Sequence, residues 1–170
     1  VKLYFMHGNR DFLLGEKFAT ACGGMLLNDP LLIDLYGTKT LLSHGDALCT
    51  ADAEYMAFRK QVRDPAFQQQ FLAKPLSERR ATVEKMRLQS EQSKKVKSMD
   101  IMDVTESAVH ALLRQYNYPR LIHGHTHRPA LHQHLVDGKN CERFVLKDWN
   151  ETGGYLSCDE NGCSAIKLNK

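Results

Sequence analysis

Three short apolar runs in this chain each end in His-Gly followed by a polar residue of metal-ligand type. Leu3-Tyr4-Phe5-Met6 runs into His7-Gly8-Asn9, Leu41-Leu42-Ser43 into His44-Gly45-Asp46, and Leu121-Ile122 into His123-Gly124-His125-Thr126-His127. An α/β sheet places its chemistry outside the carboxyl ends of its strands, and a strand that delivers glycine and then polar side chains fits that design. Threefold repetition predicts that the three tips are neighbours and that their loops converge on one site. The third loop is the richest, because alternate imidazoles behind a flexible glycine can reach one metal ion from a single segment.

The rest of the chain fills in around these tips. Residues 2–46 read as strand (Lys2 to Met6), loop, a helical patch around Leu13 to Cys22, and two strands, Leu31 to Tyr36 and Lys39 to Ser43, about a turn at Gly37. From about 51 to 97 the apolar spacing turns helical, through Tyr55, Phe58 and Val62, then Phe67 and Phe71, then Met86 and Leu88. Pro65 and Pro75 divide this stretch and predict a helical hairpin inserted between two strands. Asp103 with Glu106 predicts a capping box for a helix through Val109, Leu112, Leu113 and Tyr116, ended by Pro119. Two hairpins close the chain, one about Asp137-Gly138 and one about Asn161-Gly162. With 170 residues and no long linker, the expectation is a single domain over 1–170 with a helical insertion at 51–97.

Charge is concentrated in that insertion. From Arg59 to Lys97 there are 11 Lys plus Arg against 4 acids, net +7; the whole chain has 23 against 20, so the remainder is 12 against 16, net −4. Local basicity points to an anionic partner such as phosphate or an acidic lipid surface. No nucleic-acid motif accompanies it, so neither a nucleic acid nor a protein partner is expected. No apolar run approaches the ~18 residues of a spanning helix, and the first residues lack a signal-peptide pattern, which predicts a cytoplasmic protein at most resting on a membrane. Five cysteines at irregular spacing, without Cys-x-x-Cys, favour neither a disulfide framework nor a thiolate zinc site, and most are expected to be buried thiols.

Imidazole with amide or carboxylate oxygen suits Mn²⁺, Fe²⁺ or Zn²⁺, and a pair of such ions can activate a water and hold the phosphoryl oxygens it attacks. Asn9, His44, His125 and His127 are the expected metal ligands, with Asp46 bracing His44 from behind. His132 and His134 alternate within a strand and read as structural, as does His110, placed mid-helix on the surface.

The motifs Gly8-Asn9, His44-Gly45-Asp46 and Gly124-His125-Thr126-His127 resemble the later ligand motifs of the calcineurin-like metallophosphoesterases. That superfamily has Asp-x-His and Gly-Asp motifs on two earlier strands, and these do not occur here, so the chain resembles the carboxyl-terminal two thirds of a member. Most members have histidine after Gly-Asn, whereas here it is Arg10. His7-Gly8-Asn9-Arg10-Asp11-Phe12-Leu13, His44-Gly45-Asp46-Ala47-Leu48-Cys49-Thr50 and Ile101-Met102-Asp103-Val104 before His123 to Pro129 resemble the UDP-2,3-diacylglucosamine pyrophosphohydrolase family of lipid A biosynthesis.

This resemblance implies an α-β-β-α sandwich with a helical lid, lacking its first strands, and a peripheral position on the cytoplasmic face of the inner membrane. It further implies Mn²⁺, two ions in the complete enzyme, and a UDP-linked diacylated glucosamine lipid as substrate. Asn9, His44 and His127 match metal ligands, and His125 matches a residue near both metal and substrate phosphate. Arg10 is expected to neutralise developing phosphate charge. Arg10, Asp52, Arg87, Ser90 and Lys97 match substrate contacts, and Lys94 stands at such a position where members often have asparagine. The competing readings are a metallophosphoesterase of soluble nucleotides and a truncated, inactive relative.

Overall fold

The computed structural model describes residues 1–98, 101–150 and 152–168, with the side chains of 94–96 excepted. Among them the order is β1 (Leu3–Met6), α1 (Glu16–Ala21), β2 (Gly24–Leu27), β3 (Leu31–Leu35), β4 (Thr38–Ser43), then α2 (Ala53–Val62), α3 (Pro65–Ala73), α4 (Leu76–Val96) and α5 (Glu106–Gln115). The strands β5 (Arg120–His123), β6 (Ala130–Val136), β7 (Lys139–Val145), β8 (Gly154–Asp159) and β9 (Gly162–Lys167) follow.

A mixed five-stranded sheet in the order β3-β4-β5-β7-β6 carries the fold, which is α/β as the sequence predicts. Its middle strands β4, β5 and β7 run parallel, and β3 and β6 pair antiparallel at the edges. The parallel strands are buried: Leu41, Leu121 and Cys141 sit against Val109 and Leu113 of α5, and Val145 is buried as well. Each fully buried aliphatic side chain there stabilises the fold by about 1.5–3 kcal/mol. Ser43 is the register partner of His123, so the tips of β4 and β5 lie side by side.

The first tip is placed differently from expectation. β1 pairs in parallel with β2, a strand the sequence reading missed, in a separate two-stranded ribbon. Met25-Leu26-Leu27 is too short a run after Gly23-Gly24 to show alternation. The insertion between β4 and α5 is also richer than a hairpin. It contains three helices, because Asp64 caps α3 by accepting from the Phe67 N–H at 3.0 Å, with Pro65 at the first helical position, and Pro75 opens α4. α5 starts one turn's fraction later than the capping-box reading placed it: Thr105 is the N-cap, and Asp103 instead accepts from Val104 N–H at 2.7 Å and pairs with Arg128.

The hairpin at Asp137-Gly138 forms as expected, whereas the last one turns one residue earlier than expected, on Glu160-Asn161, with Gly162 already in β9 as the register partner of Asp159. Cys158 and Cys163 face each other in register as free thiols. Of the five cysteines only Cys49 and Cys141 are buried, fewer than expected. No described helix is long and apolar enough to cross a membrane.

Candidate functional site

His44 leaves the end of β4 and is held by Asp29, whose carboxylate accepts from the His44 backbone N–H at 3.2 Å and from the Ser43 hydroxyl at 2.7 Å. The adjacent β5 loop is stitched to it, since Gly124 N–H donates to the His44 carbonyl at 3.0 Å. Two imidazoles then meet: His44 Nε2 lies 3.1 Å from His125 Nδ1. The loop after β1 reaches the same point, with the Asn9 backbone N–H donating to His44 Nε2 at 3.3 Å. Burial lowers the pKa of His44 against the opposing pull of Asp46 and Asp29, which keeps the ring neutral and its lone pair available. Asn9, His44 and His125 are thus brought together.

Two glycines make this approach possible. A Cβ on Gly8 would sit 3.1 Å from His44 Cε1, and one on Gly45, whose φ is +103°, would sit 2.6 Å from His123 Nδ1. Gly45→Ala should therefore destabilise the protein by more than the ~1 kcal/mol of an ordinary glycine replacement, read as a lowered urea midpoint at unchanged m-value. An unchanged midpoint would refute the close approach. His125 and His127 themselves take left-handed backbone with φ of 68° and 57°, which non-glycine residues adopt sparingly and which clusters at ligand-binding turns.

His127 stands apart from the pair. Its Nδ1 lies 3.4 Å from the Asp148 carboxylate, and it is exposed. A carboxylate at Nδ1 fixes the tautomer that presents Nε2 outward, as behind metal-bound histidines. His123, first in the alternating run, belongs to the strand: it is fully buried, Nδ1 donates to Gly124 O at 2.9 Å, and Arg143 Nη1 donates to Nε2 at 3.1 Å. Burial pushes its pKa down to about 4. His7 is likewise turned away, donating from Nε2 to the Leu14 carbonyl at 2.6 Å.

Asp46 does not brace His44 by a hydrogen bond; Asp29 does. Fully buried, Asp46 anchors the helical insertion: its Oδ2 lies 2.8 Å from Tyr55 Oη, 3.0 Å from Arg59 Nε and 3.3 Å from Arg63 Nη2. Burial alone would raise its pKa, but Arg59, the Tyr55 hydroxyl and Arg63 together hold it below the usual carboxylate value. Arg63 also donates to the carbonyls of His7 and Gly8 at 3.3 and 3.4 Å, tying α2 to the β1 loop. Tyr55 stacks obliquely on His125 at 5.5 Å. Sequence reading missed Asp29, Arg59, Arg63 and Tyr55 in these roles. Only the i, i+4 spacing of Arg59 and Arg63, just after the Gly-Asp motif, could have signalled the two arginines.

The expected substrate contacts are dispersed. Arg10 is exposed beside Asn9, and Arg87 and Ser90 are exposed on α4, three residues apart and so on one face. Asp52 caps α2 by accepting from Tyr55 N–H at 3.0 Å and receives Lys97 Nζ at 2.7 and 2.9 Å, so these two are paired with each other, Lys97 also meeting Glu54 at 2.9 Å. The side chain of Lys94 lies outside the described residues.

Tested against a divalent ion, the donor set fits in kind. Two imidazoles converge at a spacing proper to adjacent ligands of one ion, and Asp46 Oδ1 and Thr126 Oγ1 are buried nearby in sequence without hydrogen-bond partners. A three-donor cluster of His, Cys, Asp and Glu occurs elsewhere among the described residues, at Glu106, His110 and His134.

Comparison with known proteins finds no matching family model. Curated relatives match over nearly the whole chain. A UDP-2,3-diacylglucosamine hydrolase of Aromatoleum aromaticum is 55% identical over 160 residues, 94% of this chain and 65% of its own length. One of Chromobacterium violaceum is 52% identical over 168 residues, 98% of this chain and 69% of the relative. One of Xanthomonas axonopodis pv. citri is 47% identical over 175 residues, 99% and 71%. The chain spans just under two thirds of the first of these relatives and slightly more of the others.

Proposed function

Because the chain belongs to the UDP-2,3-diacylglucosamine hydrolase family, we propose that it carries the greater part of an enzyme that hydrolyses the pyrophosphate bond of UDP-2,3-diacylglucosamine in lipid A biosynthesis. Water oxygen bonds to the α-phosphorus while the bridging P–O bond breaks. UMP leaves with the new oxygen, and 2,3-diacylglucosamine 1-phosphate leaves with the bridging one. The observation that carries the reading is the meeting of His44, His125 and the Asn9 loop beneath a basic helical cover anchored on Asp46. The fold in this reading is the calcineurin-like sandwich, one domain whose residues 51–97 form a lid.

Asn9, His44, His125 and His127 would hold Mn²⁺, which when bound acidifies a water and screens phosphate charge. The chain's own residues do the rest. Arg10 reaches the phosphates from the Asn9 loop with a guanidinium fork suited to them, and Arg87 and Ser90 offer a further cation and hydroxyl from α4. Asp52 and Lys97 become available only when their pair opens, which a uridine diphosphate group can drive by taking over the ammonium. Leu72, Leu76 and Leu88 are 47%, 56% and 60% exposed on this basic segment, which supports acyl-chain and anionic membrane contact at about 0.8 kcal/mol per buried methylene.

The test is product analysis with UDP-2,3-diacylglucosamine in detergent micelles and Mn²⁺. UMP and the 1-phosphate should appear, and soluble UDP-sugars should be turned over far more slowly. Equal turnover of a soluble UDP-sugar would replace the lipid substrate with a soluble one, and no hydrolysis at all would establish this chain as an inactive relative.

A further inference from the structure

The cluster of Glu106, His110 and His134 lies well away from the proposed reaction centre. His134 is four residues along β6 from Ala130, which sits level with the strand tips, so about 13 Å of strand separates it from them. Glu106 and His110 are one turn apart on α5, and α5 packs across the inner face of β6. His110, expected as a surface residue, has Glu106 one turn before it, whose Oε1 lies 3.5 Å from His110 Nε2. The sequence reading left His134 as a strand residue on one sheet face; that face meets α5, and His134 Nδ1 lies 3.3 Å from His110 Nε2, the two rings perpendicular.

We infer that Glu106, His110 and His134 form a second divalent-metal site, of the His₂-carboxylate type that Zn²⁺ favours, clamping α5 to the edge strand β6. The geometry carries this. Zn–N and Zn–O bonds of about 2.0–2.2 Å at tetrahedral angles separate neighbouring donor atoms by roughly 3.3–3.6 Å. The two separations found, 3.3 and 3.5 Å, fall in that window, and all three donor atoms lie within 4.8 Å of one another. Two half-buried imidazoles supply fixed donors from two elements, while Glu106, 78% exposed, supplies an adjustable one and leaves the outer position to water.

The surroundings set the conditions for loading. Arg143 Nε donates to His134 Nε2 at 3.0 Å, which places the proton of the neutral ring on Nδ1. Metal binding at Nδ1 requires the other tautomer, with the proton on Nε2, so Arg143 must release that contact while keeping its bond to His123. Arg114, the nearest cation on the same helix, is already taken up by Asp137, to whose carboxylate it donates at 2.7 and 2.9 Å. The site therefore binds less tightly than a preset structural zinc centre, and its occupancy follows metal concentration.

The test is a titration of the whole chain with Co²⁺, followed by d–d absorption, alongside thermal unfolding with and without Zn²⁺. The unmodified chain should develop the intense visible absorption of a low-coordinate nitrogen and oxygen site, and Zn²⁺ should raise Tm by several degrees, as binding to the folded state alone requires. His134→Gln should abolish this absorption, and Glu106→Gln, on an exposed side chain whose loss leaves folding intact, should weaken Co²⁺ binding at least tenfold. Both should leave hydrolysis unchanged, while His44→Gln should leave this absorption in place, so failure here is distinguishable from failure of the proposed activity. Equal Co²⁺ titrations of the unmodified chain and Glu106→Gln, or no such absorption in the unmodified chain, would overturn the site.

Discussion

His44→Gln is expected to lower the proposed hydrolysis of UDP-2,3-diacylglucosamine by roughly 10²–10³-fold, the scale on which losing one preorganised electrostatic group acts in a transition state. Mn²⁺ uptake at the strand tips should fall with it. Glutamine keeps a hydrogen-bond acceptor for the Asn9 N–H but loses the imidazole lone pair that faces His125 at 3.1 Å. The change removes no core methylene, so stability should shift by less than about 1.5 kcal/mol, and loss of activity will not be loss of fold. His127→Gln tests the same centre from its other side. If Asp148 orients His127 as a ligand, the variant should also lose metal, and Asp148→Asn should weaken metal binding by about 10–100-fold. Mn²⁺ content and turnover unchanged in both His44→Gln and His127→Gln would remove the metal role assigned to these loops.

What could be read from the sequence follows from how locally each feature is encoded. The parallel strands announce themselves because burial on both faces demands continuous apolar runs, and Leu41 and Leu121 have nowhere else to go. The hairpin at 137–138 is legible because Asp137 and Gly138 both need positive φ, which few other residue pairs supply, whereas Asn161-Gly162 marks the last hairpin but not its register. The convergence of His44 and His125 was visible for a related reason, since both follow strands that the alternating βα pattern makes neighbours. The placement of β1 was not, because strand pairing is a long-range choice, and a tip ending in His-Gly looks the same whether its strand joins the main sheet or a separate ribbon.

The partners of the site were least legible of all. Asp29, far from His44 in sequence, meets it through the pairing of β3 with β4, and nothing in Asn28-Asp29-Pro30 distinguishes it from an ordinary turn. Asp46 was read by its proximity to His44 along the chain, but a side chain directed into a helical cover sees that cover's cations first. A charge run that sequence statistics assign to solvent thus has two of its members, Arg59 and Arg63, turned inward.

That inward pairing gives the largest stability effect expected from any single polar substitution here. Asp46→Asn keeps the shape and the acceptor for Tyr55 but removes the charge that two guanidiniums share within 3.3 Å. Asp46 is fully buried and both arginine side chains are only 21% exposed, so water restores little of what is lost. Removing one partner of a fully buried pair costs about 3–5 kcal/mol; with the arginines partly wetted the expected loss is about 2–3 kcal/mol, read as a lower urea midpoint. The function should register it separately. Arg63 also holds the carbonyls of His7 and Gly8, so loosening it releases the Asn9 loop from the lid side, and KM for the lipid substrate should rise more than kcat falls. Arg59→Met with Asp46→Leu, which exchanges the charged contact for an apolar one, should recover most of the stability but not the KM. A double variant that recovers both would mean that Asp46 holds only the fold together, and that the position of the β1 loop is set without it.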